Sequence, residues 1–231
     1  MKLNMTSIGF KTVTVLLKPL FCLWYNPQVV GKGNIPENGA VVIACNHKHI
    51  MDQCMAIIAT KRTVNYMAKS EYFKGRAAFF FKMTGCICVN RNGKDEEAKN
   101  SALKVLKRGG ALGIFPEGTR NKTDELLMDF KYGAASLACK TNATVIPVAV
   151  TGDYKFRSKN LMSRIGTPIS VEGKSVEQVN IELKNSVSEL IRDNLESGYG
   201  TENEYKRAEK YFGEKITDYK NIDFLDFDDA I

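Results

Sequence analysis

A histidine and an aspartate five positions apart, His47 and Asp52, are the residues of this sequence best suited to acid–base chemistry. The histidine follows an apolar run at 40–44, which predicts a buried strand. Residues five apart do not share a helix face, so the spacing predicts His47 in the turn after the strand and Asp52 in the first turn of the next helix. There the carboxylate is favoured by the helix dipole and can hold one imidazole nitrogen. The other ring nitrogen would then be free to act as a general base.

A second interpretation of the same stretch is a surface turn with two incidental histidines. The chain contains only two histidines, His47 and His49, so this is the one place that could carry imidazole chemistry. His49 is interpreted as a surface turn residue without a catalytic part. The histidine–aspartate pair alone does not decide between the two interpretations.

Polar residues also follow two other predicted strands. Arg91 comes after the strand at 86–90, and the turn 117–120 comes after the strand at 111–115. Ligands of open α/β sheets collect at the carboxyl ends of the strands, so we expect these residues to converge with His47. Two guanidinium groups beside one imidazole indicate a substrate that carries phosphate, held by bidentate hydrogen bonds.

Predicted strands and helices alternate through residues 40–151, which indicates an α/β fold with a mostly parallel central sheet flanked by helices. The predicted strands are 40–44, 64–68, 86–90, 111–115 and 145–151, with a further strand at 168–171. The predicted helices are 52–60, 75–83, 95–106, 132–139 and 175–197.

The first thirty residues are predicted to bind a membrane surface. Small polar and basic side chains recur about every 3.5 residues and leave a wide apolar arc, which is typical of amphipathic helices. Pro19 is expected to divide the segment into two short helices, and Trp24 and Tyr25 are of the type found at lipid headgroups. The apolar runs are shorter than the roughly 20 residues that span a bilayer. We therefore expect an N-terminal amphipathic two-helix membrane-binding motif; the alternative is a helix packed on the protein's own core.

The 231 residues, of which 44% are hydrophobic, can build one sizeable core. We expect membrane-interface helices in 1–30, an α/β domain in 31–197, and a charged and aromatic tail of unknown role in 198–231. The net charge of +7 suits phosphates, nucleic acid or an anionic membrane surface. Lysine and arginine form no block with interleaved aromatic residues, which argues against nucleic acid.

The six cysteines include no CxxC pair, and most of them lie in apolar runs. They are interpreted as buried thiols of a protein from a reducing compartment, and no metal site is expected. No signal-peptide cleavage pattern is evident.

Taken in order, these motifs resemble those of the glycerophosphate acyltransferase superfamily, and most closely those of its lysophosphatidate acyltransferases. The similar blocks are Asn46-His47 with Asp52 (NHxxxxD), residues 85–91 (a glycine-to-arginine block, with Cys88 where a bulkier apolar residue is common), residues 115–120 (FPEGTR), residues 130–134 (a lysine–glycine stretch) and residues 145–148 (an apolar block containing Pro147). The resemblance covers residues 1–195. HxxxxD alone is a weak signal, but FPEGTR following it in order is a specific one.

The resemblance implies transfer of a fatty acyl group from a thioester to the free hydroxyl of lysophosphatidate, which gives phosphatidate. It implies that His47 is the general base, that Asp52 holds its ring, and that the strand of Pro147 lines a tunnel for the acyl chain. The residues implied in acceptor binding are Arg91, Glu117, Gly118, Thr119, Arg120 and Lys131. No cofactor is implied besides the co-substrate, acyl-CoA or an acyl carrier protein thioester. The expected location is the cytoplasmic face of the cell membrane, as a peripheral protein.

Three alternatives stay open from the sequence. The acceptor could be another lysophospholipid or glycerol-3-phosphate, which the motifs barely distinguish. A hydrolase is disfavoured because water needs no phosphate clamp of two arginines. A catalytically silent membrane-binding module is disfavoured by the intact pair of His47 and Asp52.

Overall fold

The computed structural model describes residues 5–75, 77–90 and 95–216, and it contains alternating strands and helices. The strands are β1 (Gln28–Val30), β2 (Val41–Cys45), β3 (Val64–Lys69), β4 (Ile87–Val89), β5 (Ala111–Ile114), β6 (Thr144–Thr151) and β7 (Met162–Ile165). The helices are α1 (Met5–Tyr25), α2 (Asp52–Ala59), α3 (Ala77–Met83), α4 (Glu96–Lys107), α5 (Gly133–Thr141), α6 (Val176–Glu196) and α7 (Glu202–Phe212), with short 3-10 turns at Lys32–Asn34 and Ser70–Phe73.

The seven strands of the described residues form one sheet in the order β1-β7-β6-β2-β5-β3-β4. β2 to β6 run parallel to one another, whereas β7 pairs antiparallel with β6 and parallel with β1. The predicted α/β fold with a mostly parallel sheet is therefore confirmed. Because β2, β5 and β6 are parallel neighbours, the segments that follow them leave the sheet at the same edge.

The five strands predicted between 40 and 151 and the five predicted helices are all present, with ends that differ by at most two residues. The strand predicted at 168–171 is wrong. Ile169 forms only an isolated antiparallel bridge with Val145, and the preceding Pro168 has no N–H to donate to a ladder. Two short strands at the sheet edge, β1 and β7, were not predicted.

Helices cover both faces of the sheet, and β2 is buried between them. Val42 and Ala44 face a core cluster that includes α4, α5 and α6. Ile43 and Cys45 face the opposite cluster, which includes residues of α1 and α2. This alternation follows the two-residue period of a strand. The chain that leaves β2 after Cys45 therefore starts from a point fixed on both sides.

The N-terminal segment is one continuous helix, α1, and the prediction of two short helices separated at Pro19 is wrong. Pro19 cannot donate a hydrogen bond to the carbonyl of Val15. The Val15 residue lies on the outer side of the helix, where 72% of it is exposed. Phe10 and Phe21 are buried in the core on either side of the proline, so packing holds both halves to the same surface.

No helix within the described ranges combines the length and the apolarity that crossing a bilayer requires. Of the six cysteines, which were expected to be buried, only Cys45 is in the buried class and Cys88 is exposed. The tail of unknown role contributes α7, which begins with a capping box between Thr201 and Glu204. The acidic end of the tail, 223–229, lies outside the described residues.

Candidate active site

His47 and Asp52 meet at the carboxyl edge of the sheet, as their spacing predicts. His47 lies in the turn after β2, and Asp52 is the first residue of α2. The Nδ1 atom of His47 is 2.9 Å from Oδ2 of Asp52, and the aspartate side chain is fully buried. Because a carboxylate accepts hydrogen bonds, Nδ1 carries the ring proton and Nε2 is the nitrogen that can accept another one. His47 can therefore act as a general base, with Asp52 as its acidic partner.

Asp52 holds the whole turn, not only the imidazole. Its Oδ2 also accepts the backbone N–H groups of Lys48 and His49, each at 2.7 Å. Its Oδ1 accepts the hydroxyl of Tyr154 at 2.8 Å. Burial and the Asp52 charge raise the pKa of the Tyr154 phenol well above its usual range, so this hydroxyl is a hydrogen-bond donor at neutral pH.

The backbone of His47 is fixed by the segment that follows β5. Its N–H donates to Oε1 of Glu117 at 2.7 Å, and its carbonyl accepts the N–H of Asn121 at 2.6 Å. The ring of His47 stacks on that of Phe115, with centroids 3.9 Å apart and planes at 12°. The FPEGTR segment therefore sets both the position of the histidine backbone and the plane of its ring.

Glu117 is almost completely buried, with 2% exposed, and both of its carboxylate oxygens are used by the protein. One oxygen accepts the N–H of His47 and the other accepts the N–H of Met128 at 3.0 Å. Burial raises the pKa of the Glu117 carboxyl, and the two backbone donors oppose that shift. In this geometry both Glu117 oxygens hold backbone segments of the site, and the role of Glu117 in acceptor binding stays a prediction.

The other described residues that are expected to bind the acceptor substrate lie close to Glu117. Thr119 and Arg120 are exposed, and the charge of Arg120 contributes, after burial, to lowering the pKa of His49. The side chain of Lys131 passes over Gly118, since a Cβ atom placed on this glycine would lie 2.9 Å from the lysine Nζ. The backbone conformation of Gly118 is left-handed, with φ of 73°, which favours glycine. Arg91 lies outside the described residues.

Asn46, the residue before the histidine, ties β2 to β6. Its side-chain amide donates to the carbonyl of Val150 at 3.0 Å and accepts the N–H of the same residue at 2.7 Å. This pair of bonds fixes the point at which the chain leaves β2. The asparagine in NHxxxxD thus has a physical role that the sequence does not reveal.

Tyr154 is a contributor to the site that was not singled out from the sequence. It lies three residues beyond β6, at the edge where His47 and Glu117 also emerge, and this placement is the signal that could have found it. Its ring stacks on His49 at 4.5 Å and packs edge-on against Tyr25 of α1 at 5.6 Å. It therefore connects the N-terminal helix with the aspartate.

The Tyr154→Phe variant is expected to lower kcat about tenfold, because a hydrogen bond to a charged group contributes about 1.5 to 3 kcal/mol and part of this orients the carboxylate. The measurement is the steady-state rate of the acyl transfer that the sequence motifs imply. Tyr25→Phe is the matched control, since it removes a hydroxyl from the adjacent ring without touching Asp52. Equal rates for Tyr154→Phe and the wild type would show that the backbone donors alone orient Asp52.

Comparison with known proteins gives matches to acyltransferases. A model of the acyltransferase family matches residues 26–151. The 1-acyl-sn-glycerol-3-phosphate acyltransferase of Bacillus subtilis is 29% identical over 166 residues, which are 69% of this chain and 82% of that protein. The enzyme of the same name from Borreliella burgdorferi is 29% identical over 173 residues, 72% of this chain and 69% of the relative.

A solved structure is similar as well. The crystal structure of the 1-acyl-sn-glycerophosphate acyltransferase from Thermotoga maritima superposes with a TM-score of 0.64 at 25% identity, over 77% of this chain and 76% of the other. The region matched by the family model contains His47, Asp52, Glu117 and Arg120, and it ends with β6. Tyr154 and α7 lie beyond it.

Proposed function

Because the chain belongs to the acyltransferase family, we propose that it transfers a fatty acyl group from a thioester to the free hydroxyl of lysophosphatidate and so forms phosphatidate. The observation that carries this proposal is the buried Asp52 carboxylate 2.9 Å from Nδ1 of His47, at the same sheet edge as Arg120 and Lys131. The names of the relatives support lysophosphatidate as the acceptor. The thioester carrier is proposed to be coenzyme A or acyl carrier protein.

In the proposed reaction the acceptor hydroxyl attacks the thioester carbonyl directly. Nε2 of His47 takes the hydroxyl proton as the new C–O bond forms, and Asp52 stabilises the resulting imidazolium. The tetrahedral intermediate then expels the thiolate as the C–S bond breaks, and the imidazolium returns the proton to sulfur. The protein forms no covalent intermediate, so no serine or cysteine nucleophile is needed.

Arg120 and Lys131 are proposed to bind the phosphate of the acceptor, together with Arg91. Both described residues are exposed, and the lysine lies over the left-handed Gly118. A glycine at this point lets the backbone and the lysine approach a ligand closely. A guanidinium group binds phosphate through two parallel hydrogen bonds, which fixes the direction of the glycerol hydroxyl relative to His47.

The experiment that tests this function is an assay of the purified full chain with acyl-CoA and with acyl carrier protein thioesters. Lysophosphatidate, other lysophospholipids and glycerol-3-phosphate are compared as acceptors, and free fatty acid is measured beside the esterified product. The expected result is phosphatidate as the main product and the largest kcat/KM for lysophosphatidate. A larger kcat/KM for another acceptor, or fatty acid as the main product, would reject the proposed function.

We also propose that α1 lies in a membrane interface on the cytoplasmic side. Its outward face carries large apolar side chains, each between 48% and 72% exposed: Val15, Leu16, Leu17, Leu20, Leu23 and Trp24. Such a face on a helix that keeps basic side chains along one edge, Lys11 and Lys18, is typical of interfacial helices. Substrate and product are both lipids, so this placement brings the site to them.

The loop between β6 and β7 extends the same apolar surface. Phe156 is 63% exposed and packs edge-on against Trp24, with ring centroids 4.9 Å apart. The N–H of Arg157 donates to the carbonyl of Trp24 at 2.6 Å, which ties the loop to the end of α1. Lys155, Arg157 and Lys159 are exposed around the phenylalanine, which supports contact with anionic headgroups.

Replacing both aromatic residues, Trp24→Ser with Phe156→Ser, is expected to weaken binding to anionic phosphatidylglycerol vesicles at least about tenfold, because each buried aromatic side chain contributes about 1.5 to 3 kcal/mol. Vesicle sedimentation measures the change. The matched control is Ile181→Ser on α6, where the isoleucine is 55% exposed. Sedimentation equal to that of the control would mean that another surface meets the lipid.

A further inference from the structure

Helix α7 contacts the turn of His47 through one carboxylate, that of Glu204. One oxygen of Glu204 forms an ion pair with Nζ of Lys48, the residue next to His47. The other oxygen accepts the N–H groups of Gly152 at 2.9 Å and Thr201 at 2.8 Å. The two side chains of the ion pair are 25% exposed for Lys48 and 12% for Glu204, so the pair is largely shielded from solvent.

Lys48 is already part of the geometry around the catalytic pair. Its backbone N–H donates to Oδ2 of Asp52, the same oxygen that accepts from the imidazole. Its Nζ also donates to the carbonyl of Gly152 at 2.5 Å, at the end of β6. Gly152 is fixed in turn, since its φ is 84° and a Cβ atom there would lie 1.8 Å from the carbonyl oxygen of Asn160. The lysine side chain thus joins the turn to two points outside it.

Beside this ion pair, α7 and the turn border an open space. A cavity of about 230 Å³ lies between them, bordered by His47, Asn121, Asn203 and Arg207 as well as by the pair itself. The ion pair is thus a direct link between α7 and the turn at the border of this space.

Further along its length, α7 reaches the segment after Arg120. Lys210 pairs with Glu125 at 2.6 Å, and Arg207 lies 3.8 Å from Asp124. That segment begins with Asn121, whose N–H donates to the carbonyl of His47. Helix α7 therefore touches the turn of His47 through Lys48 and also touches the segment after β5, which fixes the histidine backbone.

We infer, on the basis of the acyl transfer proposed above, that Glu204 is a positioning residue for His47 and Asp52, acting through Lys48. The carboxylate holds the lysine, the lysine holds the turn, and the turn presents Nε2 of the imidazole to the acceptor hydroxyl. Misplacement of a catalytic group by a fraction of an ångström slows the chemical step more than it weakens substrate binding. Glu204 lies in the tail, 198–231, for which the sequence predicts no role.

The Glu204→Gln variant is expected to lower kcat about tenfold and to leave KM for lysophosphatidate within about twofold of the wild-type value. A glutamine amide has one acceptor oxygen, so it can serve the backbone donors or Lys48 but not both. The capping box survives, because Gln178 fills the equivalent position in α6. The matched control is Glu202→Gln, which removes a charge from the same helix turn at an exposed carboxylate paired with Lys206.

Lys48→Met removes the other partner of the ion pair, and it provides the test if Glu204→Gln does not fold. Its kcat is expected to fall to a similar extent, and the double variant is expected to be no slower than the slower single variant. The inference would be overturned if the variant that folds kept a kcat within twofold of the wild type, or if Glu202→Gln lost as much kcat. It would also be overturned if only KM changed, or if the losses in kcat were additive in the double variant.

A measurement without substrate separates this inference from the proposed function. The chain has two histidines, so their ring signals can be resolved by NMR and assigned with His49→Ala. The ring signals of His47 are expected to shift in Glu204→Gln and to stay in place in Glu202→Gln. An unchanged His47 signal in Glu204→Gln would overturn the link. If the wild-type chain esterifies no lysophosphatidate, the proposed function fails, whatever the signals show.

Discussion

The His47→Ala variant is expected to lose acyl transfer by about 10² to 10⁴-fold in kcat, the range that general-base help contributes. An alcohol is a weak nucleophile until its proton is removed, and Nε2 of His47 is the nitrogen that the Asp52 contact leaves available. Sedimentation with vesicles is expected to persist, because the exposed face of α1 is unaffected. Steady-state kinetics with lysophosphatidate and acyl-CoA measure the loss.

His49→Ala provides the matched control for this experiment. It removes the only other imidazole of the chain, two residues away, and keeps the backbone N–H that donates to Asp52. Its kcat is expected to stay within a few-fold of wild type, because its side chain stacks on Tyr154 and does not contact the carboxylate. Normal turnover by His47→Ala, or the larger loss in His49→Ala, would reject His47 as the base.

The spacing of His47 and Asp52 was enough to predict their local structure. Residues five positions apart do not share a helix face. The spacing therefore predicts that His47 lies in a turn after a strand and that Asp52 lies in the first turn of the next helix. The alternation of apolar runs and amphipathic stretches likewise predicted the parallel sheet. These are features set by neighbouring residues, and the structure confirms them within two residues at each end.

Features set by distant contacts could not be predicted in the same way. β1 and β7 have three and four residues, too few to show a period, and they pair with each other although Gln28 and its partner Met162 are far apart in the sequence. Pro19 signals a helix break locally, but burial of Phe10 and Phe21 on the same core surface outweighs it. In both cases the local structure depends on packing against residues that are distant in the sequence.

In the site, too, the sequence predicted several of the residues but only some of the contacts that they make. The FPEGTR block predicted Glu117 as a site residue, but not that its oxygens would both accept backbone N–H groups, from His47 and Met128. Tyr154 and Glu204 reach the site from 102 and 156 residues beyond their partners, Asp52 and Lys48. A motif states which side chains are present, whereas such contacts depend on how the sheet edge brings loops together.

The Asp52→Asn variant is expected to lower kcat by about 10² to 10³-fold while the protein stays folded. Two unit charges about 4 Å apart attract by about 4 kcal/mol at an effective dielectric constant of about 20, and most of this stabilises the imidazolium that forms during proton transfer. An asparagine oxygen can still accept the ring N–H of His47 and the backbone N–H groups of Lys48 and His49. Its amide would then face Tyr154, whose hydroxyl can accept instead of donate. Kinetics and thermal unfolding, measured together, test both statements.

Two further variants separate the charge of Asp52 from its hydrogen bonds. Asp52→Ala leaves three N–H groups without an acceptor, so it is expected to lower stability by several kcal/mol, since each unsatisfied donor costs about 1 to 3 kcal/mol. Asp95→Asn is the control for the substitution itself, because Asp95 caps the start of α4 through the N–H of Ala98, away from the site. If Asp52→Asn kept a kcat within fivefold of Asp95→Asn, the aspartate would serve only to shape the turn, and the imidazolium would need no negative charge beside it.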